Sequence, residues 1–275
     1  MTKFSKTGIR AVSLLLCFAC LLALAMPMSV SAGETPAPQA LSSIVRKSAS
    51  FSGYNIGRME DGTMLTVLGE KGSFYKIDCY DMTGYIAKEQ VLHTEDGKYY
   101  VNCKADSSET VAMTYYDHGT ALQLRHGVIQ QAKNKLGCPY VYGATGPNAF
   151  DCSGLMQYIF AKNGIALHRG SSSQLQDGII VAREGLQIGD LVYFKTPYET
   201  QPTSHIGVYV GGGQIIHAGS GKVRYDSLDS GWCARYYLCA RRVINIAAVE
   251  LFPENSGTIG SGVSLPLRTA SGRTA

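Results

Sequence analysis

Three kinds of hydrophobic pattern follow one another along the chain. Lys3, Lys6 and Arg10 precede an apolar run from Ala11 to Met26, which Pro27 breaks before the small residues Val30-Ser31-Ala32. A charged start, an apolar stretch and a small-residue site, in that order, predict a secretory signal over residues 1–32. The 16-residue run is shorter than the ~20 residues a membrane-spanning helix needs. Residues 33–40 read as an extended linker. From residue 41 to 93 the pattern becomes β. Thr63 to Leu68 is a β-rich run, Gly69 to Gly72 marks a turn, and Tyr75, Ile77 and Cys79 alternate with Lys76, Asp78 and Tyr80. With Gly84-Tyr85-Ile86 starting a further strand, this stretch predicts a small barrel. Residues 94–122 are polar and irregular and read as a linker.

The period then changes to that of a helix. Leu124, Val128, Ile129, Ala132 and Leu136 share one face, with Gly137 at the C-terminal end. A second helix starts near Cys152, carries Leu155, Met156, Ile159 and Phe160, and ends before Gly164. Strands and glycine turns alternate from there to about Val243, and residues 245–275 lack periodicity and read as a flexible tail. The expected fold class is α+β: a small β-barrel over 41–93, then helices packed on an antiparallel sheet over 123–244.

Composition narrows the function classes. The chain has 275 residues, with 25 Lys and Arg against 21 Asp and Glu. Removing the three basic residues before position 33 leaves 22 against 21, which is no footprint for nucleic acid. A hydrophobic content of 45% supports a packed core. Of the eight cysteines, Cys17 and Cys20 lie in the signal, and neither has a small-residue lipobox around it. Cys79, Cys103, Cys138, Cys152, Cys233 and Cys239 are scattered over a chain large enough to fold without staples, so nothing compels a disulfide framework.

The candidate chemistry is one cysteine and two histidines. Asp151-Cys152-Ser153-Gly154 follows a loop rich in Gly and Pro and opens the second helix, where unpaired N–H groups and the helix dipole favour a thiolate. His205 opens the run His205 to Val210, three glycines follow, and the return run Gln214-Ile215-Ile216 ends at His217. If the glycines form the loop, Gly207 faces His217, and His205 lies on the same face as His217, roughly 7–8 Å away between backbones. A loop one residue longer or shorter would put the two on opposite faces. Nucleophile, base and orienting group together make a generalised triad. His93, His118, His126 and His168 have no such context and read as ordinary surface or core side chains.

Two resemblances add to this. The segments Val45 to Ser50, Gly62 to Gly69, Phe74 to Ile77 and Gly84 to Ile86 resemble bacterial SH3-like domains, modules that accompany cell-wall enzymes. More specifically, Pro139-Tyr140, Phe150 to Gly154, Leu186 to Phe194, His205 to Tyr209 and Ile216-His217-Ala218 look like the NlpC-type peptidases of bacterial cell walls. That resemblance implies a papain-like fold, with Cys152 as nucleophile, His205 as general base and His217 as the residue orienting it. It also implies Tyr140 near the oxyanion site, with the Cys152 N–H as the other donor, and Asp151 and Ser153 as holders of the free amino group of a stem peptide's L-alanine. Asp151 reads equally as the cap of the second helix. The implied reaction is hydrolysis of the D-γ-glutamyl bond to the diamino acid. The expected partners are peptidoglycan stem peptides, with no nucleic acid, no membrane once the signal is removed, no cofactor and a monomeric state. The chain departs from the family where Tyr142-Gly143-Ala144 replaces a Trp-Gly-Gly stretch, and where His168 replaces a proline before Arg169.

Three rival readings come from other classes. Cys152, His205 and His217 are all zinc-competent, although no CxxC or HExxH spacing accompanies them. A non-catalytic wall-binding protein would not need the full Cys/His/His set. Nucleotide binding through Gly211-Gly212-Gly213 fails because a strand, not a helix, follows the glycines. The signal reading makes the first prediction: the protein is exported and cut after Ala32. Mass spectrometry of the secreted form should find Gly33 at its N-terminus, and a mature form carrying lipid on Cys17 or Cys20 would contradict this.

Overall fold

The computed structural model describes residues 37–246 apart from 105 and 220, with side chains from residue 41. The expected signal at 1–32, the first part of the linker and most of the expected tail lie outside the described residues. Two strand systems alternate with helices in chain order. The first comprises β1 (Ala37–Arg46), β2 (Asn55–Glu60), β3 (Met64–Lys71), β4 (Phe74–Asp78), β5 (Thr83–Ala87), β6 (Val91–His93), β7 (Tyr99–Val101) and β8 (Thr110–Tyr116). Helices α1 (His118–Lys133), α2 (Cys152–Ala161) and α3 (Ser171–Gln174) follow. The second strand system is β9 (Ile179–Val181), β10 (Leu191–Phe194), β11 (His205–Gly211), β12 (Gln214–Gly219), β13 (Lys222–Ser227), and, after α4 (Gly231–Tyr236), β14 (Tyr237–Arg242) and β15 (Asn245–Ile246).

In the first system β1 pairs antiparallel with β2, β5 and β8, while β3, β4 and β5 form a meander. Val45, Ile56, Ile77 and Ile86 are fully enclosed at its centre. In the second, six strands run antiparallel in the order β13-β12-β11-β10-β14-β9. Helix α2 covers one face of that sheet. Its spacing puts Leu155, Met156, Ile159 and Phe160 on the inner side, packed with Tyr193, Ile206, Val208 and Ile216, all at 0% exposure. Each such side chain contributes about 1.5–3 kcal/mol of burial free energy. Helices segregated against antiparallel strands make this an α+β arrangement.

Several boundaries differ from the sequence reading. The 94–122 stretch carries β7, β8 and the first turn of α1 rather than irregular chain. Strand β8 is paired along β1, and its Met113 and Tyr115 alternate inward as buried side chains. The last four residues of the expected 33–40 linker are the start of β1. The turn expected at Gly69–Gly72 falls one step later, between β3 and β4, because Gly69 is absorbed by an irregularity in register after Val67. Helix α1 starts at His118, where the Asp117 carboxylate accepts the Thr120 N–H at 2.7 Å, and Lys133 ends it before Leu136. The six cysteines from Cys79 to Cys239 are free thiols.

The two strand systems join through β2 and β9, where Arg58 pairs with Ile179, through β8 and β15, where Tyr115 pairs with Asn245, and through one buried cation. Arg241 has 0% exposure and, among the described residues, no carboxylate partner; it donates instead to the carbonyls of Leu175 (3.1 Å), Ala240 (2.7 Å) and Ile56. Gly57, next to the last of these, has φ +148°, and a Cβ there would lie 2.7 Å from Arg241 Nε and 2.8 Å from Ile180. Neither neighbour is free to retreat. Gly57→Ala should therefore lower stability by about 1–3 kcal/mol, the usual cost of overpacking. A wild-type urea midpoint in the variant would show that the seam is looser than this.

Candidate active site

The site begins with a helix cap. Asp151 sits at the N-cap of α2 in an extended conformation, and its carboxylate accepts the Gly154 N–H at 2.6 Å. The same carboxylate accepts the Gly143 N–H at 3.0 Å and pairs with Arg169 Nη2 at 2.6 Å. Burial opposes the charged form, but Arg169 and the Gly154 N–H outweigh it and hold the carboxyl below its usual range. The preceding loop is strapped by backbone bonds from Phe150 N to Pro139 O (3.1 Å) and from Asp151 N to Ala144 O (2.9 Å). Gly154 has to lack a side chain, since a Cβ would lie 2.2 Å from the Ala144 carbonyl oxygen. Cys152 is thereby presented on the first turn of α2, partly buried.

The sequence places a favourable dipole under this thiol, yet burial is the stronger influence. It pushes the Cys152 thiol up and the Asp151 charge adds to it, while the N–H groups of Ser153, Ile206 and Cys152 itself pull it back. The Ile206 N–H belongs to β11, so the thiol meets the sheet one residue from His205.

The hairpin of β11 and β12 sets the histidines. Val208 faces Ile216 and Tyr209 faces Ile215, and the register slips only at Gly211, which faces Gln214. Gly212 and Gly213, both at positive φ, form the tip. The body of the hairpin therefore has the parity that puts His205 diagonal to His217 on one face. His205 Nε2 lies 2.6 Å from His217 Nδ1, with the rings at 82°. Thr203 Oγ1 bridges the carbonyls of Phe194 and His205 and secures the start of β11. Trp232 of α4, the one tryptophan of the chain, packs edge-on against His205 at 5.5 Å. Burial, with His217 beside it, pushes the His205 imidazole down to about 3. Burial also lowers His217, although Asp226 acts in the opposite direction.

The structure adds residues the sequence reading did not single out. Asp226 of β13 accepts from His217 Nε2 at 2.9 Å and from Arg224 Nη2 at 2.6 Å. The register of β12 on β13, with Ile215 opposite Asp226 and His217 opposite Arg224, makes Asp226 the other diagonal neighbour of His217. Its sequence signal was the alternation of Lys222 to Ser227, readable only once β13 was paired. Arg169 is the second, with Nη1 donating to Ser153 Oγ at 2.9 Å. A cleft of about 380 Å³ opens here, lined by Tyr140, Ser204, His205, His217, Asp226 and Trp232. Tyr140 lines this cleft, with its phenol raised by burial and by Cys152 and Asp151 nearby. Asp151 and Ser153 are close to the nucleophile candidate, but both are already engaged by Arg169.

Part of the chain is similar to known proteins. Residues 137–242 match the family described as NlpC/P60. Over 106 residues the chain is 42% identical to the probable endopeptidase p60 of Listeria monocytogenes, covering 38% of this chain and 21% of the relative. It is 37% identical over 106 residues to a bifunctional muramidase/DL-endopeptidase of Bacillus subtilis, covering 38% and 32%. The chain therefore spans about a fifth of the length of the Listeria relative. A Staphylococcus aureus structure described as similar to lipoprotein, NLP/P60 family, aligns with a TM-score of 0.43 at 29% identity, over 55% of this chain and 53% of that one.

The lowered histidines generate a stability prediction. Above pH 6.5, the ordinary histidine value, His205 is neutral whether folded or not. Below it, the unfolded chain takes up the proton and the native protein does not, so stability falls as pH drops from about 6.5 towards about 3. His205→Asn should remove part of that acid sensitivity. Thermal unfolding between pH 7 and 4.5 should show a smaller drop in Tm for the variant, and parallel curves would contradict it.

Proposed function

We infer that the protein is a cysteine endopeptidase of bacterial peptidoglycan, with Cys152 as nucleophile and His205 as general base. The observation that carries this is the 2.6 Å contact of His205 on β11 with His217 on β12, in the sheet against which α2, opened by Cys152, is packed. His205 Nε2 is occupied by His217, which leaves Nδ1 for the thiol proton. As Cys152 Sγ attacks the scissile carbonyl, that proton passes to His205, and the ion pair formed is tolerated because it arises with the new bond. The Cys152 N–H and the Tyr140 hydroxyl are the donors suited to the oxyanion. Collapse of the adduct breaks the C–N bond, His205 protonates the leaving amine, and water then releases the acyl group from sulfur.

The substrate reading rests on the match of residues 137–242 and on the endopeptidase names of the relatives. We assign the D-γ-glutamyl–diamino acid bond as the point of cleavage, a papain-like fold to the second half, an SH3-like role in wall binding to the first, and secretion to the whole. Asp151 is better suited to capping α2 and pairing with Arg169 than to receiving an ammonium group, since an amine would have to displace Arg169. A zinc site is a poorer fit, because the two histidine nitrogens face each other rather than a shared ion.

The test is digestion of purified wall fragments followed by mass spectrometry. One product should end in D-glutamate and the other begin with the diamino acid. Cys152→Ala and His205→Ala should each abolish turnover in a folded protein, and His217→Ala should be milder. Wild-type rates in folded Cys152→Ala would overturn the cysteine mechanism.

A further inference from the structure

The His205–His217 pair leaves a question that its own geometry does not answer: which nitrogen of each ring carries the proton. A neutral imidazole has one donor and one acceptor nitrogen. If His217 Nδ1 carried the proton, it would donate to His205 Nε2, and the proton of His205 would sit on Nδ1. That tautomer could not accept a proton from a thiol. The reverse arrangement frees His205 Nδ1 as a base.

The third strand decides between them. His217 Nε2 points at Asp226 Oδ2 at 2.9 Å, and an ionised carboxylate only accepts. His217 Nε2 must therefore carry the proton, so His217 Nδ1 is an acceptor and must receive the proton of His205 Nε2. Building on the cysteine-peptidase reading, we propose that Asp226 is a positioning residue that fixes the proton pattern of the histidine pair and leaves His205 Nδ1 unprotonated towards Cys152. His217 is at 4% side-chain exposure, so no bulk water competes for its Nε2 proton. Asp226, at 26%, reaches the edge of the cleft.

The groups around Asp226 come from every neighbouring element. Arg224 on its own strand donates to the same oxygen at 2.6 Å and holds the carboxylate on the side facing His217. His217 approaches from β12, with His205 behind it on β11. Cys233 of α4 lies close enough for Asp226 and Arg224 to influence its thiol, and Glu199 lines the same cleft. Among these, Arg224 and His217 are its hydrogen-bond donors. When His205 becomes imidazolium during the reaction, the Asp226 carboxylate stabilises that charge electrostatically across His217 and stays ionised, as the carboxylate of a base–orienter pair does.

The experiment compares wild type, Asp226→Asn and Cys152→Ala as full chains. In Asp226→Asn the amide can donate to His217 Nε2, which reverses the proton pattern, and the carboxylate charge is lost. The kcat on wall fragments should fall about 10- to 100-fold, with KM changing less than about threefold. Alkylation of Cys152 by iodoacetamide should slow in parallel, and its pH midpoint should move up, because the thiolate–imidazolium pair loses its counter-charge. Wild-type kcat and an unmoved alkylation profile in folded Asp226→Asn would overturn the proposal. A second measurement does not depend on that variant folding. In Cys152→Ala, nitrogen NMR of the imidazoles at neutral pH should find His217 protonated on Nε2 and His205 bare on Nδ1. Protonation of His217 on Nδ1 would overturn it. Turnover by Cys152→Ala would instead sink the cysteine reading beneath it, a result distinct from a normal Asp226→Asn in an enzyme that Cys152→Ala inactivates.

Discussion

The Asp151 carboxylate is the interaction on which the site depends. One side chain ends α2, ties down the Gly143 N–H of the preceding loop and anchors Arg169 from the segment beyond. Each bond is charge-assisted, and the carboxylate that accepts them is buried although Arg169 is exposed, so each is stronger than its neutral counterpart. Remove the carboxylate, and the loop, the helix start and Arg169 lose their common reference point. Cys152 sits one residue along the chain from that point, so the placement of the thiol follows from the cap.

A comparable economy joins the two strand systems. Arg241 is wholly enclosed and uses backbone carbonyls as acceptors, one of them on α3's C-terminal side at Leu175 and one on β2 at Ile56. A buried guanidinium whose three nitrogens each donate to a carbonyl rigidifies its surroundings, whereas one left without acceptors would be costly. Tyr54 reinforces the join by donating to the Ser172 carbonyl. The segment from His168 to Asp177, which carries Arg169, is therefore held by both strand systems. Cap and seam meet in that segment.

The electrostatics of the site favour neutrality at rest. Burial raises the thiol and lowers both imidazoles, so neither partner gains from being charged alone. Under the proposed mechanism charge is created as a pair between Cys152 and His205, with His217 and Asp226 behind the imidazole.

Much of this was legible in the chain itself. The apolar spacing of Leu155, Met156, Ile159 and Phe160 specified α2, because a helix must bury one stripe and no other face of these residues is apolar. Asp151 before that stripe marked its start, and the glycines after Val210 marked a hairpin. Its tip is two residues long, and it is the register slip at Gly211 that keeps His205 and His217 on one face. These are local signals, carried by residues a few positions apart. What the chain alone did not determine was long-range. Strands β7 and β8 lay in a polar stretch that becomes strand only because β1 and β3 offer unpaired edges. Asp226 became visible once β13 was paired in register beside His217, and Arg169 once its segment folded back on α2. The resting ionisation of Cys152 also went against the local reading, since helix position favours the thiolate while burial by residues distant in sequence disfavours it. Local propensity and parity are written in neighbouring residues; desolvation and charge pairing belong to whatever the fold brings from elsewhere.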